Sequence, residues 1–237
     1  MKVKSKLITI MLIIVTTAGW SQSFSPAFDR FSGSKTAYLN LEDGSKIEGT
    51  IEDFDRKKGL IEEVTIKETA NGKKIKLTPD KIKNMYIPPS NVAKLAEASD
   101  YLTEVSRWES DASLDKDILG KGYAYFEKVQ MKVGKKVMPI IAQLMNPAFN
   151  AKIKVYQDPL ARETTGIGFA GVDVVGGDDK SYYVQVGSEI GFRLFKKNYD
   201  EEFARMFKDC PSFSEKIKNP TWSDLEKNIY DYTKECK

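Results

Sequence analysis

Histidine is absent from the 237 residues, and that absence removes more chemistry than any residue present supplies. Ser-His-Asp and Cys-His catalysis need an imidazole to take the nucleophile's proton, and many zinc sites need imidazole nitrogen, so these are excluded within this chain. Cysteine is nearly as scarce. Cys210 and Cys236 are the only two, too far apart for a CxxC redox pair and without companion ligands for a metal. Long apolar runs are missing after residue 21. The best candidate, residues 137–145, is about half the roughly 20 residues that a spanning helix needs. It contains Pro139 and Gln143 and reads as core. No pair of carboxylates declares a glycosidase separation in the sequence. No catalytic residue, cofactor site or metal site is therefore expected.

An excess of charge is also lacking, although the composition first reads as basic. There are 37 Lys and Arg against 34 Asp and Glu. Three of the lysines, Lys2, Lys4 and Lys6, fall in the first 21 residues, where there is no acid, so the remainder balances at 34 of each sign. A balanced chain has no global field to draw in nucleic acid or an anionic membrane, although a local patch stays possible.

What is present begins with an export signal. Residues 1–21 carry a lysine-rich start, an apolar core over 7–18, and Gly19-Trp20-Ser21, which places small residues at the minus-three and minus-one positions of a cleavage site. The expected address is the periplasm or the cell surface and extracellular space, with no transmembrane segment after signal cleavage. In that compartment an even pair of cysteines reads as a disulfide. Leu225, Ile229, Tyr232 and Cys236 recur at spacings of four, three and four, which puts Cys236 on the apolar face of a helix expected to start at a capping box, Ser223-Asp-Leu-Glu226. Cys210, in Asp209-Cys-Pro211, falls at the turn after the preceding helix.

The chain divides into a signal peptide (1–21), a flexible lead-in (22–35), a small β-barrel-like domain (36–88), a linking helix and acidic loop (89–118), an antiparallel β domain (119–197) and a helical tail (198–237). The overall class is α+β. In 36–88, Leu39 and Leu41 precede an Asp43-Gly44 turn, Ile47, Gly49 and Ile51 form the return strand, and residues 60–67, 73–77 and 84–87 are further strands, with a second turn at Asn71-Gly72. Pro88-Pro89-Ser90 marks a boundary. A helix over 92–108 carries Leu95, Ala98, Leu102 and Val105 on one face. The acidic stretch 109–117, with Asp111, Asp115 and Asp117, lacks the spacing of a calcium loop and reads as solvated. Strands follow over 123–131, 152–157, 166–175, 182–186 and 190–195, and Asn198 or Asp200 opens a helix bearing Phe203, Met206 and Phe207.

Two tempting signals are discounted. Gly166, Gly168 and Gly171 match the dinucleotide fingerprint G-x-G-x-x-G, but the residues after them favour strand and turn over the helix whose N-terminus would receive a pyrophosphate. The aromatic groups Tyr123-Ala-Tyr-Phe126 and Tyr182-Tyr183 could stack on sugars, yet such residues ordinarily pack across strands.

The segment LNLEDGSKIEGTIEDFD, with Leu and Gly at the characteristic spacing, Gly49 in a bent strand and Phe54-Asp55 at its end, resembles the first motif of Sm-like small barrels. The resemblance implies a barrel and not RNA binding, because Arg56-Lys-Lys-Gly59 and Asn84-Met-Tyr-Ile87 stand where the RNA-contacting residues would be. The whole plan, from the hairpin at 43–51 to the F-K-K-N-Y…F…F-K-D-C-P…I…Y tail over 195–232, resembles a family of uncharacterised exported bacterial proteins. It implies fold and cysteine placement only. The expectation is an exported non-catalytic cell-envelope module binding a protein or glycan partner through its β-rich region, with a carboxylate-dependent hydrolase of envelope polysaccharide as the alternative.

Overall fold

The computed structural model describes residues 24–28, 31–90, 113–161 and 180–236. The expected export signal, the helix expected over 92–108, Asp111 and the Gly166, Gly168, Gly171 motif lie outside these residues. The architecture is α+β: two antiparallel sheets followed by short helices.

Strand β1 (Ala37–Leu41) turns at Asp43-Gly44 into the long β2 (Lys46–Lys57). Asp43 makes the turn itself, its Oδ1 accepting from the Ser45 amide at 2.9 Å and the Ser45 hydroxyl at 2.6 Å, which is the local side-chain bond that favours Asp in turns. β2 returns through Lys58-Gly59 into β3 (Leu60–Glu68). Both turn residues have positive φ, 51° and 80°, the signature of a two-residue type I′ loop. β4 (Lys74–Leu77) and β5 (Ile82–Ile87) complete the first region.

Alternation in these strands follows burial of one face, with Ala37, Leu39, Ile47, Ile51, Val64 and Ile66 inside. Ile61 and Val64 break the period of two because the pairing of β2 with β3 shifts between Asp55 and Arg56, leaving Glu62 as an extra residue on β3. Gly49 is buried where β2 meets β3; a Cβ there would lie 2.2 Å from the carbonyl oxygen of Lys67. Only the absence of a side chain lets the two backbones approach that closely.

The expected boundary at Pro88-Pro89-Ser90 does not separate two sheets. β5 pairs directly with β6 (Ala124–Val133), and β6 with β7 (Lys136–Gln143), giving one seven-stranded sheet in the order β4-β3-β2-β1-β5-β6-β7. β1–β5 therefore form the compact sheet and not a closed barrel. A second sheet holds β8 (Ile153–Gln157), β9 (Ser181–Val186) and β10 (Phe192–Phe195) in the order β10-β9-β8.

Single bridges stitch the two sheets together. Leu144, just past β7, pairs with Tyr156 of β8, and Gly191, just before β10, pairs with Met131 of β6. The ring β6-β7-β8-β9-β10 is thereby closed. β7 was legible only as core; its strand character and the Gly134-Lys135 turn before it come from the pairing with β6.

The lead-in expected to be flexible is docked where it is described. Phe24 and Phe28 are buried. The Phe28 amide donates to Gln143 Oε1 at 3.0 Å, and Gln143 Nε2 donates back to the Pro26 carbonyl at 2.8 Å. Phe31 packs edge-on to Phe126 and tilted on Phe54. Aromatic side chains spaced along an otherwise irregular segment give it enough apolar area to pay for ordering.

The tail begins with a 3-10 turn (Lys196–Asn198) and continues through α2 (Tyr199–Met206), α3 (Pro211–Ser214) and α4 (Leu225–Glu235); α1 is the short helix Lys116–Leu119. Phe203, Met206 and Phe207 are buried, as are Leu225, Ile229, Tyr232 and Cys236. The expected capping box at Ser223 does not form. α4 starts at Leu225 after a 3-10 turn (Trp222–Asp224), and Thr221 Oγ1 donates to the Asp224 carboxylate at 2.6 Å. Burial of Trp222 against Tyr182 and Tyr199 shifts the helix start away from the local signal.

Candidate functional site

The two residues singled out by sequence are joined: Cys210 and Cys236 form a disulfide with Cα atoms 6.0 Å apart, across 26 residues. Cys210 precedes α3, and its amide donates to the Phe207 carbonyl; Cys236 ends α4, and its amide donates to the Tyr232 carbonyl. The bond ties the end of α2 to the end of α4 over a floor of Phe207, Phe213 and Tyr232, whose ring centres lie 5.0 to 5.6 Å apart. It is a staple for the tail.

The remaining sequence candidates resolve into structure. Asp115 caps α1, its Oδ1 accepting from the Asp117 and Ile118 amides. Tyr125, Phe126, Tyr182 and Tyr183 are buried. Tyr123 is tilted on Tyr38, and its hydroxyl donates to the Thr36 carbonyl. Tyr182 packs on Phe24 and Trp222, and Tyr86 on Tyr125, so most of these rings are engaged in the core. Among the described residues no group of three or more potential metal-ligating side chains gathers.

Two polar networks inside the second region were invisible in sequence, because each draws on strands far apart in the chain. Asp158, whose side chain is fully buried, accepts from Ser181 Oγ, from Arg193 Nε and from the Leu160 amide. The Arg193 guanidinium lies over the Phe195 ring at 4.7 Å. This satisfies the carboxylate on every side, as a buried charge requires. The Tyr183 hydroxyl is pushed above its usual range by burial and by the charge of Asp158. Glu127 on β6 forms the second network. It accepts from Lys154 Nζ at 3.0 Å and from the Tyr156 hydroxyl at 2.8 Å, joining β6 to β8.

A different arrangement sits at the turn end of the β6-β7 hairpin. Residues 134–139 are exposed in succession. The exposed large apolar side chains of the described residues are Val137, Met138, Leu160 and Ile190, each 39% exposed or more, and all four lie around this hairpin. Val137 and Ile190 border a groove of about 500 Å³ that Arg193 and Arg205 also line. Met138 and Leu160 border a second, of about 780 Å³, together with Lys57, Lys58, Lys136 and Tyr183. The second groove exists because β3 leans against β7 and the Lys58-Gly59 turn packs on Pro159. Arg205 lies over the Phe192 ring at 4.1 Å, giving the first groove an aromatic and cationic wall.

The hairpin itself carries charge of one sign, while Glu202 lines the smaller groove and is paired with Arg205. Between Lys128 and Gln157 the chain has six lysines and no Asp or Glu. Lys128 is paired with Glu42 and Lys154 with Glu127. Lys132, Lys135 and Lys136 form no ion pair among the described residues and stand at the hairpin's turn end. Glu62 and Asp80 contribute the opposing charge on the larger groove; the Thr78 hydroxyl holds Asp80 below the usual carboxylate range. Overall neutrality thus conceals a local basic, apolar patch. The stretch without acids is readable in the sequence, but its coincidence with exposed apolar residues is not, since Leu160 and Ile190 arrive from other elements.

Comparison of the chain with protein-family models, with curated proteins and with solved structures finds no match.

Proposed function

We propose that this protein is an exported, non-catalytic module of the cell envelope that binds a protein or glycan partner at the end carried by the β6-β7 hairpin. The observation that carries the reading is that the exposed large apolar side chains of the described residues collect at one lysine-bearing end. The disulfide supports an oxidising compartment, and the lysine-rich, apolar first 21 residues support export to the periplasm or cell surface.

Immobilised protein exposed to envelope extract with crosslinking should retain a specific partner, and Val137→Asp should release it. Retention that is unchanged by Val137→Asp and Met138→Asp, or no retention, counts against the reading. A carboxylate-dependent hydrolase of envelope polysaccharide is the second reading, with Glu127 as the carboxylate it would use, since that side chain sits partly buried between a lysine and a tyrosine hydroxyl. Incubation with envelope glycans separates the two: a product lost in Glu127→Gln supports the hydrolase.

A further inference from the structure

β7 is the last strand of the seven-stranded sheet, and β8 reaches it only past its far end, where Leu144 bridges to Tyr156, so among the described residues no strand lies beside the outer edge of its first residues. The other edge strand, β4, is blunted differently, by Lys74 and Lys76 paired to Glu52 and Glu63. Val133 and Lys136 flank the two-residue Gly134-Lys135 turn and pair with each other; in such a hairpin that pair exchanges both hydrogen bonds, and the pairs alternate from there. Val137 and Pro139 consequently turn their backbone groups away from β6. Proline at an outward position sacrifices no bond to β6, and Val137 keeps an amide and a carbonyl facing out. Further along, Ile140 and Ile141 are buried, so the free edge is confined to the start of the strand.

The grooves fall on the two sides of this edge. Alternate residues of a strand point to opposite faces, which sends Val137 toward the groove it shares with Ile190 and Met138 toward the one it shares with Leu160. A strand laid along the edge would drop alternate side chains into each. From this we infer that the start of β7 receives an extended segment of another envelope protein, rich in acidic residues alternating with apolar ones, which adds to the sheet as an eighth strand. Main-chain bonds to Val137 and the Pro139 carbonyl set its register, the groove walled by Val137, Ile190 and Phe192 takes the apolar side chains on one face, and Lys58 and Lys136 of the other groove, with Lys135 at the turn, meet the carboxylates on the opposite face. The inference rests on the partner-binding reading above and names the partner's chemistry.

The test uses the full exported chain with two synthetic peptides, one alternating Val with Glu and one alternating Val with Lys. The acidic peptide should bind saturably and slow hydrogen exchange at the Val137 amide. The basic peptide should bind about tenfold more weakly or worse, because like charges oppose it. Lys135→Glu with Lys136→Glu should invert that preference without changing the melting temperature, since both side chains are exposed. Equal binding of the two peptides, no binding of either, or protection confined to another edge overturns the inference. So does binding to vesicles of anionic lipid in place of the peptide, or dimerisation of the protein through this end.

A photo-crosslinking side chain at position 137, with position 74 on β4 as control, distinguishes the two levels in intact envelopes. A protein captured at 137 through an acidic segment supports both. Capture at 137 through a segment that is not acidic sinks the added strand and leaves the partner-binding reading standing; capture at 74 only, or a crosslink from 137 to residues 162–179 of the same chain, removes both. Capture at neither position removes both.

Discussion

The first five strands and the helical tail solve the same problem with different materials. In β1–β5 the buried face is aliphatic, built from Leu39, Ile47, Ile51, Val64, Ile66 and Ile82, and the outer face is laced by exposed pairs such as Lys57 with Glu62 and Lys76 with Glu63. Around α2 and α4 the core is aromatic: Tyr199, Phe203, Phe207, Phe213, Trp222 and Tyr232 contact one another edge to face or tilted. Hydrogen bonding explains the difference. Strands satisfy one another's backbone groups along the ladder and need only a covered face, whereas short helices gain little on their own and hold position through large interlocking rings and a covalent tie. The tail should accordingly be the more sensitive to a single change.

The comparison is broken most severely by removing a ring from the tail. Phe207 is fully buried against Phe203, Phe213 and Tyr232, and Phe207→Ala should cost about 3–5 kcal/mol, measured by urea denaturation. Reduction and alkylation of the Cys210–Cys236 bond should cost about 3–4 kcal/mol, because the 26-residue loop regains its freedom in the unfolded chain. A midpoint unmoved by reduction would show that the rings alone hold the tail.

In the sheet the corresponding weak point is backbone crowding. Gly49→Ala forces a Cβ against the Lys67 carbonyl and should cost about 1–3 kcal/mol, reported as faster hydrogen exchange in β2 and β3 with the tail unaffected. Alkaline pH sharpens the contrast at smaller amplitude. Burial raises the hydroxyl pKa of Tyr199 strongly, and those of Tyr183, Tyr232 and Tyr86 to a lesser degree. The unfolded chain ionises these groups near pH ~10 while the folded protein keeps them neutral, so the stability they contribute is complete below about pH 10 and falls as pH rises beyond it. Melting temperatures across that range should drop. Tyr199→Phe should make the drop shallower while costing about 1 kcal/mol at neutral pH, where Asn228 loses its acceptor. Smallest of all, Lys74→Ala, which removes an exposed partner of Glu52, should leave the melting temperature within measurement scatter.

Legibility followed the range of the interactions. The turns at Asp43-Gly44 and Asn71-Gly72, the strands beside them, and the helix face carrying Cys236 were readable because each depends on neighbours within a few residues. The docking of Phe24, Phe28 and Phe31 was not, since their contacts are with Gln143, Phe149, Phe126 and Tyr182, brought in from elsewhere in the chain. Pro88-Pro89 looked like a domain boundary because proline interrupts a strand locally; nothing local shows that β5 finds its next partner in β6, far along the chain. Ser223 has the local signature of a helix cap, but the burial of Trp222 beside it puts Ser223 inside a 3-10 turn.

By itself the sequence determined the exclusion of imidazole chemistry, the local turns, the alternating strands and the helix face that carries Cys236, because composition and short-range periodicity fix them before any long-range contact exists; the bond from Cys236 to Cys210 needed the fold to bring the two helix ends together. Only the tertiary structure decided that the two β regions share β6 and β7 and that the second closes into a ring. It alone decided that Val137, Met138, Leu160 and Ile190 meet at one lysine-lined end. Those outcomes depend on which distant strands satisfy each other's backbone groups, and which apolar residues remain uncovered is settled only once that pairing is complete.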